Sequence, residues 1–280
     1  NHDLCYAYST DLGVTWRNNA GVLIADTSQG QKISLASPGT LIKRMNMTQL
    51  LINQQSQCVD LDGRVHMLTL HRREDPGYAS PNQTTAAFSI IGTAYYHYFR
   101  DPASGVWTQR RIPPEIAPVG SRGTIGYDAE GNLYAVFLTY TDRSQVYPGY
   151  RGVDLAIATA SKASSYTNWE VVYTSTTKFT GEPLLDQTRL LQDNILSLFI
   201  QEDSTSTSAV GTPLHVIDFT VAPVADADTD DDLLSDSWEL GNFSNLSIGN
   251  VDFDGDGASN AAEMIARSNP ADPAWRPTKA

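Results

Sequence analysis

Ser9-Thr10-Asp11-Leu12-Gly13-Val14-Thr15-Trp16 satisfies the pattern S-x-D-x-G-x-T-W at every defined position. Each fixed residue has a physical task in a tight turn between two strands. The Asp11 carboxylate can accept backbone N–H groups across the turn, and Gly13 admits backbone angles that a side chain opposes. Trp16 is expected to bury beneath the turn. The motif reads as a folding device, not a catalytic one, and it sets a strand-turn-strand grammar from the start of the chain.

Outward from that turn the same grammar continues. Alternating, β-branched and aromatic runs predict strands over 4–8, 65–71, 94–99, 133–140, 155–159, 195–200 and 215–221, with Gly, Asp, Asn and Ser between them. No helical periodicity of useful length is legible before residue 230. A weak repeat orders the strands through three turns: Asp60-Leu61-Asp62-Gly63, Asp128-Ala129-Glu130-Gly131 and a degraded Leu191-Gln192-Asp193-Asn194. A strong strand follows each, and the first two lead on to Trp107 or Trp169. Four short antiparallel strands per repeat describe a propeller blade. The fold class is therefore all-β: a partial β-propeller over residues 1–222, with a small C-terminal module over 223–280; a seven-bladed ring is expected when complete, a number these repeats do not themselves count. The chain starts at Asn1 and runs at once into strand-like sequence, which reads as a piece of something longer, with earlier blades upstream.

Composition narrows the function classes. Hydrophobic residues make up 41%, enough for a sizeable core. No apolar run approaches the roughly 18 residues of a membrane span. Net charge is −13, and eleven acidic residues but no Lys or Arg lie between Asp226 and Glu263. That balance argues against a nucleic-acid partner. Cys5 and Cys58 are too few for a disulfide framework, and their pairing is open.

Spacing resolves the acidic stretch into loops. Residues 252–263 fit a twelve-residue EF-hand-type calcium loop, with Asp252, Asp254 and Asp256 at positions 1, 3 and 5. Gly257 makes the turn at position 6, the Ala258 carbonyl serves at 7, Asn260 stands at 9 and Glu263 closes the shell at 12. A second loop starts at Asp228 and continues through Asp230, Asp232, the Leu234 carbonyl, Asp236 and Glu239, with Leu233 where Gly is usual. Two calcium ions are expected, each loop running into a short helix. The alternative for such a run is a solvated acidic segment. The linker Val221-Ala222-Pro223-Val224-Ala225 marks the boundary.

Three segments carry a family resemblance. Residues 2–18 (HDLCYAYSTDLGVTWRN), 95–107 (YYHYFRDPASGVW) and 120–137 (GSRGTIGYDAEGNLYAVF) resemble the BNR-repeat, or Asp-box, propellers of the polysaccharide lyases that cleave ulvan. The acidic tail is similar to the thrombospondin type 3-like or dockerin-like calcium repeats of secreted bacterial enzymes. The resemblance implies a secreted lyase acting on an acidic, uronic-acid-containing polysaccharide. In that family the catalytic His, Tyr and Arg lie in blades preceding the matching segment. The catalytic residues would then stand upstream of Asn1, with this chain forming one wall of the cleft against the N-terminal remainder of the propeller.

Residue chemistry suggests what that wall holds. A lyase must neutralise a uronate carboxylate, remove the neighbouring proton and protonate the leaving oxygen, tasks suited to Arg, His and Tyr. Substrate-face candidates are His2, Asn53, Gln54, His71, Arg72, Arg73, Tyr78 and Arg122. The plain alternatives are a capping role for His71 and surface ion pairs for Arg72 and Arg73 beside Glu74 and Asp75. A three-residue loop at Asp60 would set Cys58 opposite His66. That pair, completed by His2 or an upstream residue, could hold a structural zinc ion pinning neighbouring blades; the alternative is a buried Cys beside a hydrogen-bonded His. An Asp-box glycoside hydrolase would need paired carboxylates, for which Glu115 and Glu182 are the candidates. A non-catalytic carbohydrate-binding propeller is the remaining reading.

Overall fold

The computed structural model describes residues 3–49, 51, 56–74, 93–112, 117–118, 121–140, 153–203, 211–221, 230, 232, 234, 236–266 and 269–274. The chain divides into two compact units, Asn1–Val221 and Ala222–Ala280.

The first unit begins with two small antiparallel ribbons. Strand β1 (Leu4–Cys5) pairs with β4 (Leu41–Lys43), and β2 (Thr15–Arg17) pairs with β3 (Leu23–Asp26). The turn before β2 is held as its sequence implies: Asp11 accepts from the Thr15 N–H at 2.8 Å and the Thr15 hydroxyl at 2.6 Å, and Gly13 adopts φ 87°. Trp16 is only half-buried; its indole N–H donates to the Gly13 carbonyl at 3.0 Å and closes the turn from its edge.

Two blades follow. In the first, β5 (Ser56–Val59), β6 (Val65–Arg72), β7 (Thr93–Arg100) and β8 (Trp107–Arg111) form a four-stranded antiparallel meander. The second sheet runs β10 (Thr124–Tyr127), β11 (Leu133–Tyr140), β12 (Val153–Ala160), β13 (Glu170–Leu185), β14 (Ile195–Glu202) and β15 (Leu214–Thr220), with β9 (Ala117–Pro118) beside the end of β11. Strand β13 serves two groups of strands. Its first part pairs with β12 up to Phe179, and its last part pairs with β14 from Phe179 to Leu185, with a register break between Thr180 and Leu184. The second blade is thus β10–β13, and the end of β13 opens a third group with β14 and β15.

Matching turns launch the two blades. Gly63 N–H bonds the Asp60 carbonyl and Gly131 N–H bonds the Asp128 carbonyl, each at 3.0 Å. Each Asp carboxylate also takes the N–H four residues on, at 2.8 Å in both cases. Gly63 and Gly131 sit at φ 79° and 82°, where a side chain is disfavoured. The third turn differs from expectation. Residues 187–193 form a helix, α1 (Gln187–Asp193), capped by Asp186 and ended by Asn194 at φ 53°. Capping chemistry in Asp186 and Asn194, rather than periodicity, encodes it.

Alternation along β11 explains the core. Leu133, Ala135 and Phe137 face the first blade and pack with Leu68, Leu70, Tyr95, Ile125, Tyr166 and Trp169. Tyr134, Val136 and Leu138 face the other way, onto Leu155, Ile157, Leu190, Leu196 and Leu198. A sheet buried on both faces is how stacked blades share a core, each large side chain contributing roughly 1.5–3 kcal/mol of burial. On the outer side of the first blade, Ala94, Tyr96 and Tyr98 pack with Leu4, Met45 and Leu51.

The second unit carries two short helices, α2 (Asp236–Phe243) and α3 (Asn260–Ala266). Phe243, at the end of α2, lies 5.6 Å from Trp238 and 4.8 Å from Phe253 of the 252–263 loop between ring centroids.

Candidate functional site

Three of the four predicted substrate-face residues that the structure describes, His71, Arg72 and Arg73, lie where β6 ends. His71 and Arg72 close β6 and pair with Ala94 and Thr93. His71 is fully enclosed, whereas Arg72 and Arg73 are half-buried. The His71 Nδ1–H donates to the Arg72 carbonyl at 2.8 Å, which leaves Nε2 to accept from the Tyr98 hydroxyl at 2.9 Å. Tyr96 stacks on the imidazole with ring centroids 4.1 Å apart. Burial drives the His71 pKa down to about 4, against the smaller pull of the Arg72 carbonyl and Glu74, so the ring is neutral near pH 7. Burial, then Glu74 and Tyr96, pushes the Tyr98 phenol far up.

Around this pair lies a cationic and amide surface that sequence reasoning missed. Lys43, from β4, binds Glu74 at 2.5 Å and the Gln109 amide oxygen at 2.6 Å, and it sits 5.6 Å above the Tyr98 ring. Gln109 and Gln49 each donate to Glu74 at 3.1 Å, and Glu74 N–H donates to the Tyr96 hydroxyl at 3.0 Å. Burial raises the Glu74 carboxyl, but Lys43, Gln109 and His71 outweigh it and hold it below the ordinary range. Gln109 stands opposite Tyr98 in the β7–β8 register, which no local sequence pattern announced, and Lys43 lies far away in sequence. Arg72 Nε donates to the Thr48 carbonyl at 2.6 Å. Arg122 stands apart from this group, bound to Glu182 at 2.5 Å. His2, Asn53, Gln54, Tyr78 and Glu115 lie outside the described residues.

Cys58 faces His66 across the β5–β6 hairpin, the register that the turn count predicts. Both ring nitrogens of His66 are engaged by other side chains. His66 uses Nδ1 with His97 Nε2 at 3.0 Å and Nε2 with Asp60 at 3.2 Å. Burial, with Asp60 beside it, pushes the Cys58 thiol up to about 12, so it carries its proton. Both cysteines are free thiols.

In the second unit, Asp252, Asp254 and Asp256 each offer an oxygen within 4.8 Å of the others, as do Asp230, Asp232 and Glu239. The 252–263 loop is wound about Asp252, whose carboxylate accepts from the N–H groups of Gly255, Asp256 and Gly257 at 2.8, 3.1 and 2.9 Å. Gly257 takes φ 97° at the expected sharp turn. Glu239 and Asn260 are fully buried, yet Glu239 Oε2, Asn260 Oδ1 and Asp254 Oδ2 have no hydrogen-bond partner among the described residues. Burial, and then Asp230, Asp232 and Asp236, pushes the Glu239 carboxyl upward. Oxygen-only donor sets of this kind fit a hard divalent cation. Leu234 is buried, and Asp236 begins α2; Asp228 lies outside the described residues.

The sequence profile of a BNR repeat-containing family member matches residues 1–114. Among solved structures, the crystal structure of polysaccharide lyase Uly1 is similar, with a TM-score of 0.42 and 17% identity. The match covers 77% of this chain and 39% of that one, so this chain spans well under half the length of that structure. No curated protein matches.

Proposed function

We propose that this chain is the C-terminal portion of a secreted polysaccharide lyase that cleaves a uronic-acid-containing, ulvan-like polysaccharide by β-elimination. The observation that carries the reading is the grouping at the end of the first blade, where Lys43 and Arg72 border a neutral His71–Tyr98 pair. A uronate carboxylate needs a cation to stabilise the charge that develops as its neighbouring C–H is broken. Lys43, tied to Glu74 at the partly exposed edge of the cluster, can exchange that partner for the substrate carboxylate. His71 and Tyr98 are enclosed, so their part is to fix the Lys43 surface from beneath. Proton removal and leaving-group protonation fall to residues of the full-length protein in preceding blades.

The tail contributes stability in this reading. Asp230, Asp232, Asp236 and Glu239 would hold one calcium ion, and Asp252, Asp254, Asp256, the Ala258 carbonyl, Asn260 and Glu263 a second. Calcium here supplies folding free energy and no chemistry at the cleft.

Full-length protein incubated with ulvan should produce a steady rise in ultraviolet absorbance from the unsaturated product, and Lys43→Ala should raise KM. Reducing-end release without that rise would instead indicate a hydrolase. Against a hydrolase stands the engagement of Glu182 by Arg122. A non-catalytic carbohydrate-binding propeller is the second reading, favoured by the enclosure of His71 and Tyr98; affinity without turnover would select it.

A further inference from the structure

Between the first two blades lies a polar group with no place in the lyase reading. Asp60, 5% exposed, accepts from Asp62 N–H and Arg64 N–H at 3.0 and 2.8 Å and from the Arg64 guanidinium at 3.4 Å. These contacts make it an acceptor throughout, so the His66 Nε2 facing it at 3.2 Å must carry a proton. His66 Nδ1 is then the lone pair, and the proton in its 3.0 Å bond belongs to His97 Nε2. By elimination His97 Nδ1 is an unprotonated acceptor. The chain of three residues fixes both tautomers.

His97 is fully buried, and among the described residues its Nδ1 has no hydrogen-bond partner. Two donors next to it share that condition, Arg110 Nε and Trp169 Nε1. Arg110 pairs with His97 across β7 and β8, which puts both side chains on one face, and the Trp169 ring stands edge-on to His97 at 5.4 Å. Phe99 and Tyr166 wall the imidazole at 5.1 and 5.6 Å. A buried polar atom left without a partner is costly, and three gathered around one imidazole point to a shared one.

We infer that His97 Nδ1, Arg110 Nε and Trp169 Nε1 form an internal site for one water molecule at the end of the Asp60–His66–His97 chain. The donor set selects the ligand. A cation would meet the guanidinium and the indole N–H, and an anion would meet the His97 lone pair. Water accepts from both donors and gives a proton to the imidazole, the three bonds typical of buried water. The site is independent of the lyase assignment.

Multiple-bond nitrogen NMR on the full chain at neutral pH, with water cross-peaks to the Trp169 indole proton, tests this. Expected are protons on Nε2 of both His66 and His97, and a cross-peak from the indole to a long-lived water. A proton on His97 Nδ1, or an indole without that cross-peak, overturns it. Asp60→Asn gives a second arm. Its oxygen stays with the two backbone donors, its amide N–H faces His66, and both rings should reverse their protons. The water cross-peak should then disappear. Rings that keep their tautomers in a folded Asp60→Asn protein would also overturn the inference; if that variant does not fold, the spectra of the unaltered chain decide alone.

Discussion

Replacing Asp60 with alanine should destabilise the first unit by about 3–5 kcal/mol, far more than replacing its neighbour Asp62. The difference follows from what each carboxylate holds. Asp60 binds two turn N–H groups, the Arg64 guanidinium and His66, with the Tyr166 hydroxyl at 3.5 Å. In Asp60→Ala, water can replace the acceptor for the turn N–H groups and for Arg64, leaving a net loss of about 1.5–3 kcal/mol. The fully buried His66 ring loses its acceptor at the same oxygen, and a water confined there replaces the carboxylate only in part, which adds about 1.5–2 kcal/mol. Asp62, 39% exposed in its side chain, pairs with Lys162 at 2.7 Å and with Arg64. Its removal should stay within about 0.5 kcal/mol. Urea unfolding at pH 7, followed by far-ultraviolet circular dichroism, measures both variants. If Asp60→Ala lies within about 1 kcal/mol of Asp62→Ala, the claim that Asp60 satisfies a buried donor is wrong.

Three further outcomes are expected. Because burial lowers the His71 pKa from 6.5 to about 4, the unfolded chain binds the extra proton first as pH falls. Stability should be complete above pH 6.5, decline as pH drops toward 4, and lose up to about 3 kcal/mol, with a shallower slope in His71→Gln. His66 and His97, also lowered chiefly by burial, act in the same direction; a pH-independent urea midpoint across that window would contradict all three. Gly13→Ala should cost about 1–2 kcal/mol from its backbone conformation alone, since an added Cβ would only touch Trp16 at 3.7 Å; an unchanged thermal midpoint would contradict that. Chelation should unfold the C-terminal unit and shift Trp238 emission to the red. Calcium at a hundredfold excess over its Kd should restore about 2.7 kcal/mol per site, and Glu239→Gln should weaken the titration. Emission indifferent to chelator would remove calcium from the proposal.

Hairpins were the most legible level of the sequence, because Asp-x-x-Gly imposes its loop length locally. The Cys58–His66 register followed from the turn count alone. Strands 133–140 and 195–200 were equally plain: the first is an apolar run buried on both faces, and the second alternates, burying Leu196, Leu198 and Ile200 on one face. Three features were not legible. Glu170–Leu185 mixes Thr, Lys, Gly and Pro and is largely exposed, so no hydrophobic period marks it as one strand. Helix α1 is too short for a period to show. His97 sits in a tyrosine-rich run that suggested core, and its bond to His66 needs the β6–β7 register, where His66 faces Phe99 and Leu68 faces His97. The Lys43–Glu74–Gln109 cluster joins residues distant along the chain, and no local rule connects them.

The double membership of β13 has a practical consequence for dissecting this protein. A truncation placed at an apparent sequence repeat, just before Gln187 for instance, would leave the end of β13 without β14, while one placed at Gly181 would tear that end from its own backbone. Fragments intended to fold should therefore keep everything from Thr124 to Thr220 together. Splicing or shuffling of this region should succeed only when that whole block travels as one cassette.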